Sequence, residues 1–308
     1  GADVLPLNIC YRCPAPVLDR ARAIVPEIEL WDGHPGPDGP GVVENVDIEQ
    51  LYKHVEVGDM VLCRLNAPLI SAYFDLIGNR VPARILGRNI AQMLTKTLDK
   101  VAKSPGFRYS EIVPKLREYE RMMAAKYAKD DKYETQAQLL EDTIECLVVC
   151  ATNFDNCTSV DCLKDELDKL FADDDDASRA TSVTLCSVHK AKGLEADHVV
   201  IIAPSKMPMS HPKQKLWELQ QEWNILYVAI TRAKRKLTVC GRLSVQPVKF
   251  GDTPPSLQAN EVPLGGVFAE MNGKHDPDGE SANEDWRVGL LDDLSPAEMD
   301  MADEMGQL

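Results

Sequence analysis

Three short stretches carry side chains suited to chemistry on an anion. Tyr11-Arg12 and Thr231-Arg232 each place an arginine where an apolar run ends, and Val188-His189-Lys190-Ala191-Lys192-Gly193-Leu194-Glu195 lies between two apolar runs. A guanidinium is planar, stays charged and donates two parallel hydrogen bonds to phosphate oxygens. A glycine beside a lysine suits a backbone that must approach something anionic, and Glu195 can accept hydroxyl hydrogens from a sugar. Taken alone, His, Lys and Glu in such a turn are ordinary solvated residues, so the elements around them must decide.

Leu226, Ala229 and Ile230 fall at helical spacing, which predicts an amphipathic helix over Glu222 to Leu237 with Thr231 and Arg232 near its C-terminal end. The run Leu237-Thr238-Val239-Cys240 reads as a strand. Helix, short turn and strand are the grammar of an α/β domain and set Arg232 near the edge of a parallel sheet, where such folds bind ligands. Upstream, residues 5–12 alternate and give way to a helix from Val17 to Val25, so Tyr11 and Arg12 fall where a strand turns into a helix. Strands are predicted at Asp59 to Arg64, Ala83 to Leu86, Val183 to Val188 and His198 to Ile202, with a helix from Pro68 to Ile77. Between them come helical patterns at Ile90 to Ala102, Tyr109 to Tyr127, Tyr133 to Val149 and Leu163 to Phe171. The expected fold class is α/β: one sheet domain made of residues 1–89 and 181–250, interrupted by a mainly helical insertion over 90–180, with an acidic tail over 251–308.

The 308 residues carry a formal net charge of -15, but residues 251–308 hold -12 of it. The remaining body is at -3, so the acidity does not exclude a nucleic-acid groove. The tail is rich in Pro, Gly and acid and reads as largely disordered, with a capping-box start at Ser295-Pro296-Ala297-Glu298 for a short terminal helix. Trp286, Val288, Leu290, Leu291 and Leu294 within it fit a segment that binds a protein partner, and equally a solubilising tail. Nine cysteines without framework spacing favour free thiols and a reducing compartment. Cys10-x-x-Cys13 has half of a zinc spacing and no second pair. The run Asp173 to Asp176 reads as a solvated linker, not a metal site. No apolar run approaches the ~20 residues of a membrane span, and there is no signal-peptide pattern, so a cytoplasmic protein without membrane contact is expected. The chain opens on Gly1 instead of Met, which reads as a piece of something longer.

Together these stretches resemble the UvrD/Rep-like superfamily 1 DNA helicases over most of residues 1–245. Ser187 to Glu195 looks like the family's motif V, and Glu222 to Leu237 looks like motif VI, with Tyr227-Val228-Ala229-Ile230-Thr231-Arg232-Ala233 nearly to the letter. Tyr11-Arg12-Cys13-Pro14 resembles motif IV, with cysteine where serine is commoner, and Arg64-Leu65-Asn66-Ala67 resembles the arginine-asparagine motif. Gly1-Ala2-Asp3 looks like the end of motif III. The resemblance implies a RecA-like sheet (the 2A-type domain) with a 2B-like insertion. It implies that Tyr11 stacks on the adenine of ATP and that Arg12 and Arg232 reach the γ-phosphate. It further implies that Glu195 holds the ribose beside Lys192 and Gly193, and that Ser187, His189, Arg64 and Asn66 contact nucleic acid. Tyr227 and Trp223 read as core or interface aromatics, and Arg64 reads equally as a salt-bridge partner beneath the sheet.

No Gly-x-x-x-x-Gly-Lys-Ser/Thr occurs, and no strand ends in an Asp-Glu pair suited to Mg2+. Gly273-Lys274-His275 lacks the upstream glycine and the Ser/Thr of a phosphate loop. The expectation is therefore the C-terminal motor half of a 3′ to 5′ helicase acting on single-stranded DNA or a single-strand/duplex junction. ATP and Mg2+ would be bound mainly by an N-terminal RecA-like motor domain, and this half would be inactive by itself. The alternative is a catalytically inactive nucleic-acid or protein-interaction module derived from a helicase.

Overall fold

A computed structural model describes residues 8–32, 39–128, 134–172, 180–210 and 214–243. The expectations for Gly1 to Leu7, Asp173 to Asp176, Gly273 to His275 and the tail from Gly251 lie outside the described residues. The strands are β1 (Ile9–Cys10), β2 (Glu29–Leu30), β3 (Val42–Val46), β4 (Met60–Cys63), β5 (Ala83–Leu86), β6 (Phe171–Ala172), β7 (Val183–Ser187), β8 (Ala196–Ile201) and β9 (Ala233–Cys240). The α-helices are α1 (Ala15–Arg22), α2 (Ala67–Gly78), α3 (Arg88–Ala102), α4 (Ile112–Tyr127), α5 (Glu134–Asn153), α6 (Val160–Leu170) and α7 (Leu216–Ile230).

Seven strands form one parallel sheet in the order β3-β9-β8-β4-β7-β5-β6, and β1 and β2 make a separate parallel pair. Every residue of β4 and β7 is buried, as expected for central strands covered on both faces. Val61, Cys63, Val183, Leu185 and Ile85 belong to a core cluster that runs on without a break into Leu94 and Leu98 of α3, Leu116 of α4, Ile144 and Leu147 of α5, and Leu163 of α6. The helices of 88–170 thus share one core with the sheet. On the opposite face lie the equally buried alternate residues Leu62, Cys186 and Val199. There α1 packs against α7, β3 and β9.

The expected strands at 83–86, 59–64 and 183–188 match β5, β4 and β7 to within a residue at either end. The motif helix is different. It begins earlier, at Leu216, and stops at Ile230; Thr231 and Arg232 form the turn, and Ala233 to Lys236 are strand. Helix-forming Ala and Lys there are overridden by pairing, since Ala196 stands opposite Ala233 and His198 opposite Lys236 in the ladder with β8. Val42–Val46, not foreseen, forms the edge strand and pairs in register with Lys236 to Cys240.

Candidate functional site

The ends of the parallel strands define two edges, and the singled-out residues divide between them. Glu195 immediately precedes β8 and Arg232 immediately precedes β9, so both lie at the amino edge. The Ala196 amide donates to the Arg232 carbonyl at 3.2 Å, which ties the two approaches together. The residues between β1 and α1 reach the same place. Arg12 Nε donates to Glu195 Oε2 at 2.5 Å, and both Arg12 Nη1 and Cys13 Sγ lie 3.5 Å from the Thr231 carbonyl oxygen.

Arg232 is half-buried and donates to the carbonyls of Val228 (3.0 Å) and Leu194 (3.2 Å) and to the Thr231 hydroxyl (3.4 Å), all neutral oxygens. Burial first, and then the charge of neighbouring Arg12, lower its pKa from the ordinary arginine value. Two guanidiniums therefore sit close together with Glu195 as their near carboxylate, an arrangement with room for a further anion. The first sheet pair adds an aromatic face. Tyr11 is 66% exposed, and its ring lies 5.8 Å from that of Trp31, tilted by 44°. Trp31 directly follows β2 and is delivered there by the parallel pairing of Cys10 with Leu30. Its surroundings in the chain show no periodicity that singles it out. Lys234, another residue not foreseen, lies 3.2 Å from Asp197 and 4.0 Å from Glu195.

The segment from Val188 to Glu195 joins the two edges. It leaves the carboxyl end of β7 and arrives at the amino end of β8, crossing β4, which lies between them in the sheet. Two short turns carry it, with the Lys192 amide donating to the His189 carbonyl and the Leu194 amide to that of Ala191. Gly193 adopts φ +90° with nothing within 4 Å of where a Cβ would stand, so glycine serves the backbone conformation there and not a close contact. Lys192 is exposed beside it.

At the carboxyl edge the residues expected to face nucleic acid are engaged with protein. Arg64 is buried and forks onto Glu222 of α7, with Nε at 2.9 Å from Oε2 and Nη2 at 2.6 Å from Oε1. Glu222 also accepts from the Met209 amide at 3.2 Å. Asn66 is buried too. Asp142 of α5 accepts from the Asn66 amide and side chain and from the Ala67 amide, at 2.9–3.1 Å, and so caps α2 with a carboxylate where the helix dipole favours one. Ser187 is buried, its hydroxyl accepting from the Lys190 amide at 3.4 Å, and His189 is half-buried. Arg64 and Asn66, expected to contact nucleic acid, are thus each held by a buried carboxylate, the Arg64 fork using its Nε and Nη2. A groove of about 620 Å³ opens beside them, and Glu120, Glu141, Asp142 and Glu145 outnumber Arg117 and Lys206 along it, the wrong sign for a phosphate backbone. Trp223 is buried in α7 and Tyr227 is half-buried, with burial raising the Tyr227 pKa.

Among the described residues no group of three or more His, Cys, Asp or Glu is placed to hold a metal ion, and no helix is long and apolar enough to cross a membrane. The UvrD-like helicase C-terminal domain matches residues 52–242. Similar proteins include the ATP-dependent DNA helicase UvrD2 of Mycobacterium bovis and that of two Mycobacterium tuberculosis strains. Each is 36% identical over 97 residues, an alignment covering 26% of this chain and 14% of the relative. The aligned part is thus a small fraction of the length of these relatives.

Proposed function

Since the chain belongs to the family of UvrD-like helicase C-terminal domains, we propose that it is the second motor half of an ATP-dependent DNA helicase. In this reading it lends its amino edge to an ATP site completed by an N-terminal RecA-like domain. The observation that carries the reading is the closeness of Arg12 and Arg232, two guanidiniums around one glutamate with the Arg232 donors resting on neutral oxygens. A triphosphate supplies the missing negative charge. Phosphoryl transfer depends mainly on positioning and charge neutralisation, for which guanidiniums brought from a second domain are suited. Tyr11 presents a base-stacking face, with Trp31 beside it. Glu195 orients Arg12 and can accept from a ribose hydroxyl.

The residues at hand fit a nucleotide's base, sugar and outer phosphates. Mg2+ would be held mainly by the other domain. Single-stranded DNA, a single-strand/duplex junction, 3′ to 5′ movement and a 2B-like role for the helices of 88–170 belong to the same proposal through the family resemblance, while the relatives' printed name supplies an ATP-dependent DNA helicase and nothing finer. Ser187, His189, Arg64 and Asn66 belong to the same proposal as the residues that contact the strand.

Joined in frame to a RecA-like domain bearing a phosphate loop, the chain is expected to hydrolyse ATP when single-stranded DNA is added. Arg232→Ala lowers that rate by ~10³ or more. Alone, the chain is expected to turn over ATP negligibly. Robust turnover by the chain alone that survives Arg232→Ala overturns the assignment.

A further inference from the structure

Cys10 and Cys13 bracket Tyr11 and Arg12, and the structure turns both sulfurs toward the candidate site. Cys10 closes β1 and is half-buried; Cys13 precedes α1 and is buried. The Cys13 amide donates to Cys10 Sγ at 3.4 Å, while Cys13 Sγ donates to the Thr231 carbonyl at 3.5 Å. That carbonyl is the one Arg12 Nη1 also approaches, so sulfur and guanidinium share an acceptor on the turn that carries Arg232. Seven of the nine cysteines are buried; besides Cys10, only Cys162 is partly open, far along the chain in α6.

We propose that Cys10 and Cys13 form a dithiol/disulfide pair whose oxidation state sets the position of Arg12 at the candidate nucleotide site. The effect on ATP rests on the function proposed above; the sulfur chemistry does not. The two thiols are unequal. The single Cys13 thiol hydrogen, once turned from the Thr231 carbonyl to the Cys10 sulfur, together with backbone N–H groups and the Arg12 charge, brings the Cys10 pKa down to about 5, while that sulfur and burial push the Cys13 pKa up. Cys10 is thus the sulfur favoured as thiolate and Cys13 the one favoured as thiol, which is the division of labour a Cys-x-x-Cys pair needs.

With a peroxide as oxidant, the Cys10 thiolate attacks one peroxide oxygen; the S–O bond forms, the O–O bond breaks, and the departing hydroxide takes a proton to become water. Cys13 then gives up its proton and attacks the Cys10 sulfur, so that the S–S bond forms, the S–O bond breaks and a second water leaves. Two electrons pass from the two sulfurs to the peroxide, and a dithiol reductant returns them. The disulfide removes the Cys13 donor from the Thr231 carbonyl and closes a four-residue ring around Arg12, which shifts the guanidinium against Glu195.

Trypsin cleaves after Arg12, between the two cysteines, which provides a direct readout. After treatment of the folded chain with hydrogen peroxide and digestion without reductant, the peptides ending at Arg12 and beginning at Cys13 are expected to run as one species, two hydrogens lighter than their sum. Dithiothreitol separates them. Cys13→Ser is expected to leave a sulfenic acid on Cys10 that dimedone traps, and Cys10→Ser to leave Cys13 a free thiol. Because peptides are mapped singly, any reaction of Cys157 with Cys162, whose sulfurs lie 2.7 Å apart, is scored separately. Separate peptides after peroxide with both thiols free in wild type, and a free Cys10 thiol with no dimedone adduct in Cys13→Ser, overturn the pair. In the in-frame motor, oxidation is expected to lower ATP turnover by about 10²-fold, as a small misplacement of a positioning group does, and reversibly so. Cys10→Ser should be insensitive. A linked peptide with unchanged turnover overturns the control of Arg12, and a motor indifferent to Arg232→Ala counts against the proposed function and leaves the disulfide standing.

Discussion

Two arginine-glutamate pairs occupy opposite edges of the same sheet, and water separates their roles. Arg64 and Glu222 are about nine-tenths buried by side chain, forked together with two close contacts, and joined by the Met209 amide. Arg12 and Glu195 meet through one contact, with 37% and 42% of their side chains exposed. A buried pair cannot lose one member without leaving a desolvated charge behind, whereas an exposed pair exchanges partners with water and ligands at small cost. The chemical types are the same. What the surroundings decide is which arginine is fixed and which can exchange its partner.

The sharpest way to break this contrast is to truncate both arginines. Arg64→Ala should cost about 3–5 kcal/mol in urea unfolding, while Arg12→Ala should cost less than ~1 kcal/mol; equal losses would erase the distinction. Asp142→Ala removes the carboxylate over the first turn of α2, and a loss of about 2 kcal/mol with local amide exchange rising at Asn66 and Ala67 is expected. Gly41→Ala tests the other edge. Gly41 has φ +75°, and a Cβ there would stand 2.2 Å from Pro14 Cγ and 3.2 Å from the Arg235 carbonyl. The chain ahead of α1 must then shift, costing about 1–3 kcal/mol and moving Arg12 with it. The smallest effect is electrostatic. Glu44 is held below its ordinary pKa of 4.5 by a hydrogen bond from Lys236, with the Thr238 hydroxyl assisting. Because the folded value is depressed, this stabilisation is complete above the ordinary carboxylate range and fades as pH falls through the folded value. The difference in urea midpoint between wild type and Glu44→Gln should therefore shrink on acidification below 4.5.

The α/β class and the central strands were legible because β4, β7 and β8 are short, strongly apolar and bounded by turns. The placement of Tyr11 and Arg12 at a strand-to-helix junction was legible for the same reason. The end of the motif helix was not. Ala233 to Lys236 carry helix-forming types, and only a partner strand distant in sequence makes them extended. Nor could spacing reveal that Arg64 would find Glu222, since that pair depends on the residue after β4 meeting the middle of α7. Trp31 escaped notice because a two-residue parallel pair leaves almost no periodic trace. The expectation that Arg232 sits at a sheet edge holds, but the edge is the amino one, opposite to where open α/β sheets generally take their ligands.

One helix touches both edges. From Glu222 to its end at Ile230, α7 runs about 12 Å as a stiff rod, and Arg232 sits in the turn that follows. The middle of the helix is held to the sheet through Arg64, and the turn after its C-terminal end carries the half-buried Arg232. A stiff helix between them ties the turn to the fork, so loosening Arg64 is expected to displace Arg232 although the two make no contact.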